Sequence, residues 1–196
     1  MTDSKNSSIP KRRFGRTEIQ MPVLSLGGMR FQQSWKDLEP KEIKNQEQDV
    51  LQKIIKYASQ KGMHHIETAR HYGTSERQIG WALRQIDDPK RILQTKIPPN
   101  VDPLIFEQEL ELSMSRLGSK KIDLLAIHGI NLPEHLDMTI RPKGCLDVVR
   151  RWQKEGLIGH IGFSTHGKSS LIKKAISSNK FEGISITFRL RSFRWL

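Results

Sequence analysis

Apolar residues recur along the chain at two spacings, and these spacings predict helices and strands in turn. Residues 48–61 carry apolar side chains three and four positions apart, which is the spacing of one helical face. The side chains of this face are Val50, Leu51, Ile54, Ile55 and Ala58, and Gly62 ends the segment. Residues 122–127, by contrast, form a nearly continuous apolar run with the length of a buried strand.

Six predicted strands and five predicted helices follow one another along the chain. The strands are predicted at residues 23–26, 64–68, 91–97, 122–127, 157–163 and 183–188, and the helices at residues 48–61, 75–86, 102–117, 144–155 and 169–177. A short hairpin at residues 12–20 precedes them, because Gly15-Arg16-Thr17 supplies a turn between two short flanks. Strands that alternate with helices indicate βαβ units and therefore a parallel sheet.

The turn after the first predicted strand helps to choose between two parallel-sheet architectures. Gly27 and Gly28 are followed by Met29, Arg30 and Phe31, so the Gly-x-Gly-x-x-Gly fingerprint of dinucleotide-binding doubly wound sheets is missing. We therefore predict an α/β fold of the (β/α)8 TIM-barrel type, incomplete, with about six strands, five helices and an N-terminal hairpin.

Length and apolar content agree with one domain, whereas the charge is unusual. With 196 residues and 36% apolar content the chain can bury one core, and we divide it into a flexible tail (1–11), the partial barrel (12–187) and a divergent basic tail (188–196). The formal net charge is +12, and residues 140–196 contribute +9 of it from 12 basic and three acidic side chains. A basic surface favours polyanions, whether nucleic acid, a membrane face or a phosphorylated cofactor.

Cysteine usage and the length of apolar runs exclude several classes of protein. Cys145 is the one cysteine, so a disulfide framework and a cysteine-ligated zinc or iron–sulfur site within this chain are excluded. The longest aliphatic run, residues 124–127, is too short to span a membrane, and the polar start of the chain is unlike a secretory signal. A cytoplasmic location without a membrane partner is the expectation.

Small, ionisable or hydroxyl residues follow five consecutive predicted strands at their carboxyl ends. In chain order they are Gly28, Glu67 with Tyr72 in the loop beyond it, Lys96, His128, and Ser164 with Thr165. In a βα-barrel these strand ends open onto one face, which is where active sites lie. The sequence therefore predicts that these residues share one site.

Four of these side chains could together support the donation of a proton beside a hydride transfer. A tyrosine hydroxyl has a pKa of about 10. A nearby ammonium such as that of Lys96 lowers this pKa, because it favours the phenolate. Glu67 can keep the lysine charged and oriented, and His128 can hydrogen-bond a substrate carbonyl or share its proton with Tyr72.

The residues around these positions resemble the motifs of the aldo/keto reductases. Residues 67–80 read Glu-Thr-Ala-Arg-His-Tyr-Gly-Thr-Ser-Glu-Arg-Gln-Ile-Gly and are similar to the family's Asp-Thr-Ala-x-x-Tyr-Gly-x-Ser-Glu-x-x-Leu-Gly. Residues 95–96, 117–128 and 156–164 resemble the family's Thr-Lys strand end, its Leu–Asp-Leu–His stretch and its Gly-Lys-Ile-Arg-x-Ile-Gly-Val-Ser strand. The likeness extends from about residue 12 to residue 186 in the family's order and spacing.

This resemblance implies a fold, an activity and four catalytic residues. The implied fold is a (β/α)8 barrel with an N-terminal hairpin, and the implied activity is NADP(H)-dependent reduction of a small-molecule aldehyde or ketone. By the resemblance, Tyr72 is the proton donor and Lys96 modulates its pKa. Glu67 is then the partner of the lysine, and His128 orients the substrate carbonyl.

The resemblance also implies cofactor contacts, with two local departures from the family. Gly28 and Met29 are expected against the nicotinamide, and Ser164 near its carboxamide. Thr165 follows at the position where the family has Asn. Glu67 stands where most of the family has Asp, and this Glu-Thr-Ala version resembles a bacterial branch of the family.

The largest departure from the family lies at the end of the chain. Residues 184–187 still resemble the sixth strand, but residues 188–196 alternate aromatic or aliphatic side chains with arginine and match no family motif. The seventh and eighth strands, whose following segments grip the cofactor's phosphates in the family, have no counterpart here. We therefore expect a C-terminally truncated chain that is inactive as a reductase and that self-associates through open sheet edges.

A second class of function remains open beside the reductase. A non-catalytic basic protein on a degraded barrel would take a polyanion as its partner. NADPH binding would favour the reductase, and salt-sensitive retention on nucleic acid without NADPH binding would favour the alternative. Specific nucleic-acid binding by residues 188–196 is disfavoured, because so few residues make no folded module.

Other conspicuous side chains receive simpler interpretations. Trp35 either lines the substrate mouth or packs against the protein. Glu76 opens the second predicted helix, where the helix dipole favours an acidic residue. No metal site is predicted among His64, His65 and His71, because the adjacent pair points to opposite faces of a strand.

Overall fold

The structure is a computed structural model that describes residues 9–186. It contains a two-stranded antiparallel hairpin and a six-stranded parallel sheet curled into a half-barrel. The strands are β1 (Lys11–Arg13), β2 (Gln20–Pro22), β3 (Leu26–Gly27), β4 (His65–Glu67), β5 (Ile92–Ile97), β6 (Ile122–Ile127), β7 (Ile158–Thr165) and β8 (Gly183–Ile186). The helices are α1 (Asn45–Gln60), α2 (Ser75–Leu83), α3 (Pro103–Leu117), α4 (Pro133–Ile140), α5 (Cys145–Lys154) and α6 (Ser169–Ser177). Most of the predicted tail 1–11 and the whole predicted tail 188–196 lie outside the described residues.

The sheet runs in chain order from β3 to β8, so each strand lies beside the strand that follows it. Alternate residues of each strand face opposite sides of a sheet. On one side, fully buried residues such as Leu125 and Phe163 join the helices in one hydrophobic core. On the other side the register places Lys96 beside Ala126, and Ala126 beside Gly162. The ionisable residues of the strand ends therefore lie on the concave side of the half-barrel.

The N-terminal hairpin, formed by β1 and β2, packs against the opposite end of the sheet. The backbone N–H of Arg16 donates to the carbonyl of Glu182 at 3.1 Å. Phe14 and Thr17 line a small cavity together with Gln94 and His160. The predicted hairpin is thus present, and it covers the amino ends of the strands rather than the face with the candidate site.

The helix α2 packs unusually closely on α3. A Cβ atom on Gly80 would lie 2.1 Å from the carbonyl oxygen of Arg116, a distance that only glycine permits. The helix α3 begins at its N-cap Asp102, whose carboxylate accepts a hydrogen bond from the N–H of Leu104 at 2.9 Å. It ends at Gly118, which adopts a left-handed φ of 60°.

The structure confirms the α/β half-barrel with its hairpin and corrects two details of the predicted elements. The described residues contain six α-helices rather than five, because Pro133 starts a helix whose buried residues, Leu136 and Thr139, are too few to give a clear apolar pattern. The first strand is shorter than predicted. Val23 and Leu24 lie in the bend before β3 and are about half exposed.

Within residues 9–186, β3 and β8 each have one neighbouring strand. The outer edge of each is therefore an unpaired edge of a parallel sheet. Val50 and Ile54, predicted on the buried face of α1, line a groove with Phe31 and are substantially exposed. Leu51, by contrast, is buried as predicted.

We predict that Gly80→Ala lowers the free energy of unfolding by about 1–3 kcal/mol, because the added methyl group overlaps the α3 backbone. Helix propensity alone predicts the opposite sign, a gain of roughly 0.5–1 kcal/mol. Urea denaturation measures the difference. Ser115→Ala on the exposed face of α3 is the control, and we expect it to stabilise slightly. Stabilisation by Gly80→Ala would contradict the close packing.

Candidate active site

The site is built around a buried ion pair at the carboxyl ends of β4 and β5. The Lys96 ammonium contacts the carboxylate of Glu67, and it also donates a hydrogen bond to the carbonyl of Thr68 at 2.8 Å. Burial lowers the pKa of Lys96 to about 7. The neighbouring Glu67 carboxylate opposes this shift, because an opposite charge favours the charged ammonium.

Tyr72 reaches the same place from the loop that joins β4 to α2. This loop turns sharply: the N–H of Tyr72 donates to the carbonyl of Ala69 at 3.0 Å, and Gly73 adopts a left-handed φ of 52°. The Lys96 ammonium lies 4.8 Å from the centroid of the Tyr72 ring. The tyrosine and the lysine are therefore neighbours, as the sequence predicts.

The pKa of Tyr72 differs from the sequence-based expectation. Burial raises this pKa above its usual value of 10.0, whereas proximity to Lys96 was expected to lower it. The ammonium is directed to the Glu67 carboxylate and the Thr68 carbonyl, and it lies over the ring of Tyr72. Loss of hydration of the phenolate consequently outweighs the attraction of the lysine.

His128 follows β6 and completes the cluster. Its backbone N–H donates to the carbonyl of Ile97 at 2.8 Å, and its ring centroid lies 5.8 Å from that of Tyr72 at an interplanar angle of 88°. Burial lowers the pKa of His128 to about 4, and the positive charges of Lys96, His71 and His166 add to the shift. The imidazole is therefore neutral near pH 7 and carries one donor and one acceptor nitrogen.

Gly28 and Met29 lie at the start of the site, directly after β3. Gly28 is buried, and its carbonyl accepts a hydrogen bond from the hydroxyl of Ser75 at 2.8 Å. A Cβ atom at this position would lie 2.9 Å from the Glu67 carbonyl oxygen, so glycine allows this turn to approach β4 and α2. The side chain of Met29 is 40% exposed and stands beside the buried glycine.

Ser164 and Thr165 lie at the end of β7, and both hydroxyl groups bond to the loop that follows His128. The Ser164 oxygen accepts from the N–H of Gly129 at 3.1 Å, which leaves its own hydrogen as a donor. The Thr165 hydroxyl donates to the carbonyl of Ile130 at 2.5 Å. The hydroxyl proton of Thr165 is therefore used within the protein and is not available to a ligand.

The structure thus brings Glu67, Tyr72, Lys96 and His128 into one cluster, with Gly28 directly beside Glu67. Ser164 and Thr165 join the cluster through the loop after β6. Trp35, whose role the sequence leaves open, is 66% exposed and packs edge-on against the Tyr72 ring at 6.4 Å between centroids.

Glu76, predicted from the sequence only as an acidic residue at the start of a helix, is a buried polar residue. It is 1% exposed, and its carboxyl group accepts hydrogen bonds from the hydroxyls of Thr95 at 2.6 Å and Ser113 at 3.1 Å. Burial raises the pKa of Glu76. It therefore bonds α2 to β5 and α3, in addition to any interaction with the helix dipole.

Two of the three histidines flagged in the sequence have partners outside the cluster. His64 bonds to Asp88 at 2.8 Å, and His65 bonds to Ser25 at 2.7 Å and Gln94 at 2.9 Å. Among residues 9–186, no group of three or more histidine, cysteine, aspartate or glutamate side chains is placed to hold a metal ion. None of the helices in that part of the chain combines the length and apolar content that a membrane crossing requires.

Comparison with known proteins assigns the family. The model of the aldo/keto reductase family matches residues 23–189. The chain therefore belongs to the aldo/keto reductases, a family of oxidoreductases. A search of curated protein sequences finds no significant match.

Solved structures agree with this assignment at the level of the fold. A thermostable aldo-keto reductase, Tm1743, in complex with the inhibitor epalrestat, matches with a TM-score of 0.70 and 25% identity over 91% of this chain and 62% of its own. An aldo-keto reductase from Bacillus halodurans, solved in its holo form, matches with a TM-score of 0.71 and 18% identity over 92% of this chain and 58% of its own. A Bombyx mori aldo-keto reductase in complex with NADP matches with a TM-score of 0.67 and 18% identity over 92% of this chain and 59% of its own. The chain spans about three fifths of the length of these three proteins.

We predict that His128 remains neutral at neutral pH and titrates near pH 4, because its ring is buried. The unfolded chain binds this proton near pH 6.5, so the contribution of His128 to stability is lost as the pH falls from 6.5 towards 4. Nuclear magnetic resonance of the imidazole nitrogens measures the pKa. In Lys96→Gln we expect a higher pKa that still lies below 6.5. Titration of wild-type His128 at 6.5 would refute the buried placement.

Proposed function

We propose that this site carries out NADP(H)-dependent reduction of an aldehyde or ketone to an alcohol. The observation that carries the proposal is the convergence of Tyr72, the Lys96–Glu67 ion pair and neutral His128 at adjacent strand ends. These groups can donate a proton, stabilise the resulting phenolate and hydrogen-bond a carbonyl oxygen. Membership of the aldo/keto reductase family supports the same chemistry.

The residues of this chain would act on the carbonyl oxygen. When bound, NADPH supplies a hydride to the carbonyl carbon. As the carbon–oxygen π electrons move to oxygen, His128 donates a hydrogen bond and Tyr72 transfers its hydroxyl proton, so that an alcohol forms. The phenolate that remains on Tyr72 is stabilised by the charged form of Lys96, and the Glu67 carboxylate favours that form and holds it in place.

The raised pKa of Tyr72 is compatible with a proton donor. A phenol with a raised pKa is fully protonated at neutral pH, so its proton is available when negative charge develops on the substrate oxygen. Lys96 then has its largest effect after transfer, when the phenolate exists. The lysine would therefore stabilise the transition state more than the resting tyrosine.

Gly28, Met29, Ser164 and Thr165 are the proposed cofactor contacts. Gly28 gives a turn without a side chain beside Glu67, where a flat ring could approach, and Met29 provides an exposed apolar surface next to it. The Ser164 hydroxyl accepts from Gly129, so its own hydrogen could be donated to the carboxamide oxygen of the nicotinamide. The Thr165 hydroxyl is bonded within the loop, so we propose a supporting role for it.

We further propose that the half-barrel of residues 9–186 does not reduce carbonyls unaided. Both of its edge strands have an unpaired side, and the six strands enclose part of the face on which the cofactor must be held. Unpaired strand edges favour self-association.

We propose a cytoplasmic location and no specific recognition of nucleic acid.

The high positive charge favours one alternative function, that of a non-catalytic basic protein that binds polyanions. Its formal net charge of +12 would attract nucleic acid without sequence preference. Salt-sensitive retention on heparin or DNA together with failure to bind NADPH at any concentration, even in a barrel completed to eight strands, would favour this alternative.

We predict that Tyr72→Phe lowers carbonyl reduction by about 10²–10⁴-fold in a form of the protein whose barrel is completed to eight strands, because the proton donor is removed. NADPH binding, followed by fluorescence quenching, should be unchanged. Tyr57→Phe is the matched control, since Tyr57 is 63% exposed on α1 and lies below the Lys61 ammonium at 5.4 Å. Turnover within a few-fold of the parent would refute the assignment of Tyr72.

We predict that the 196-residue chain shows no measurable NADPH-dependent reduction and increases in mass with concentration in light scattering. The physical reason is that, within residues 9–186, β3 and β8 each have one side without a neighbouring strand. A monodisperse monomer that binds NADPH at micromolar concentration would show that six strands suffice to hold the cofactor.

A further inference from the structure

Residues 31–44, here called the strap, cross the outside of the loop that carries Tyr72. One carboxylate in the strap, that of Asp37, meets guanidinium groups from three different elements. Arg70, in the loop after β4, lies 3.4 Å from it, Arg77 of α2 lies 3.9 Å from it, and Arg116 of α3 contacts it directly. The strap is thereby tied to α2, α3 and the Tyr72 loop at a single point.

The arginines that hold Asp37 are themselves largely buried. The side chains of Arg70, Arg77 and Arg116 are 11%, 22% and 7% exposed. Arg70 also pairs with Glu109, whereas Nε and Nη1 of Arg116 have no partner among the described residues. A guanidinium buried in this way is costly without a counter-charge, so Asp37 is a needed partner for Arg116.

The carboxyl group of Glu76 does not replace Asp37 in this cluster. Glu76 lies close enough to Arg70 and Arg116 for their charges to lower its pKa, but burial is the larger effect and raises it. Its oxygens are occupied by the hydroxyls of Thr95 and Ser113. Asp37 is consequently the contact that joins the arginines to the strap.

The strap lies directly on the residues next to Tyr72. A Cβ atom on Gly73 would lie 1.8 Å from the carbonyl oxygen of Ser34 and 3.1 Å from that of Lys36, so the strap backbone rests on the glycine. The N–H of Gln33 donates to the hydroxyl of Thr74 at 3.0 Å. Trp35, between these contacts, packs edge-on against the Tyr72 ring.

We propose that Asp37 is a positioning residue for Tyr72. Its ion pairs with Arg70, Arg77 and Arg116 hold the strap closed, and the closed strap sets the backbone of Gly73 and the ring of Trp35 against the tyrosine. Opening of the strap would release both contacts at once. The effect on catalysis rests on the proposed function of Tyr72, whereas the closure of the strap by Asp37 does not.

Hydrogen exchange measured by mass spectrometry on the intact chain tests this proposal. In Asp37→Asn we expect roughly tenfold faster exchange in peptides covering residues 31–44 and 69–75, because charge-assisted hydrogen bonds are lost. Peptides covering β6 serve as an internal reference and should be unchanged. Asp37→Glu, which keeps the charge, should restore slow exchange in large part.

A matched control separates this role from a general loss of surface charge. Glu18→Gln removes a carboxylate that pairs with Arg13 at 2.9 Å on the distant hairpin, and it should leave residues 31–44 and 69–75 unaffected. Equal acceleration in the strap and in β6 would mean that Asp37 supports global stability, and this would overturn the proposal. Unchanged exchange in the strap would also overturn it.

A kinetic measurement distinguishes failure of this inference from failure of the proposed function. In the completed barrel, Asp37→Asn should lower kcat more than it raises KM, with NADPH binding retained, because Tyr72 loses its position rather than its hydroxyl. If Tyr72→Phe leaves turnover intact, the proposed function fails while the exchange experiment still decides the role of Asp37. If kcat is unchanged in a variant whose strap exchanges faster, the positioning role is refuted.

Discussion

A lysine buried among apolar strands needs a negative partner, and that need organises the candidate site. Lys96 is 4% exposed at its side chain, and the carboxylate of Glu67 reaches it from the neighbouring strand. Because the ammonium is held between this carboxylate and the Thr68 carbonyl, it presents its charge to the ring of Tyr72 and to His128. The surroundings of Tyr72 therefore depend on this ion pair, and its lysine adds to the larger effect of burial in lowering the pKa of His128.

Close backbone contacts at glycine bring the remaining groups to this pair. Gly28 allows the turn after β3 to approach Glu67, and Gly73 allows the strap to rest on the Tyr72 loop. Gly80 allows α2, which follows that loop, to pack on the backbone of α3. At each contact a glycine lets two backbones approach closely, so the residues of the candidate site are held by several elements at once. This is the arrangement that a site needs for geometric precision.

The charge of the chain and the chemistry of its candidate site favour different kinds of partner. A net charge of +12 attracts any polyanion, but it orients none. The cluster of tyrosine, lysine, glutamate and histidine, by contrast, is specific in chemistry and agrees with the family to which the chain belongs. In the proposed reaction, a phosphorylated cofactor is consistent with both observations, because its phosphates carry negative charge while the cluster acts on the substrate carbonyl.

The sequence by itself predicted the order of the strands and of every helix except α4, and it predicted which residues form the candidate site. Apolar spacing placed β6 at residues 122–127 and α6 at residues 169–177, as the structure has them, and parallel strands necessarily bring Lys96 and His128 to one edge. Only the tertiary structure decided what surrounds each group. It buried Tyr72 enough to raise its pKa, bonded Glu76 to two further elements and closed the strap through Asp37. Hydration and charge pairing arise from residues distant in sequence, and local pattern carries no information about them.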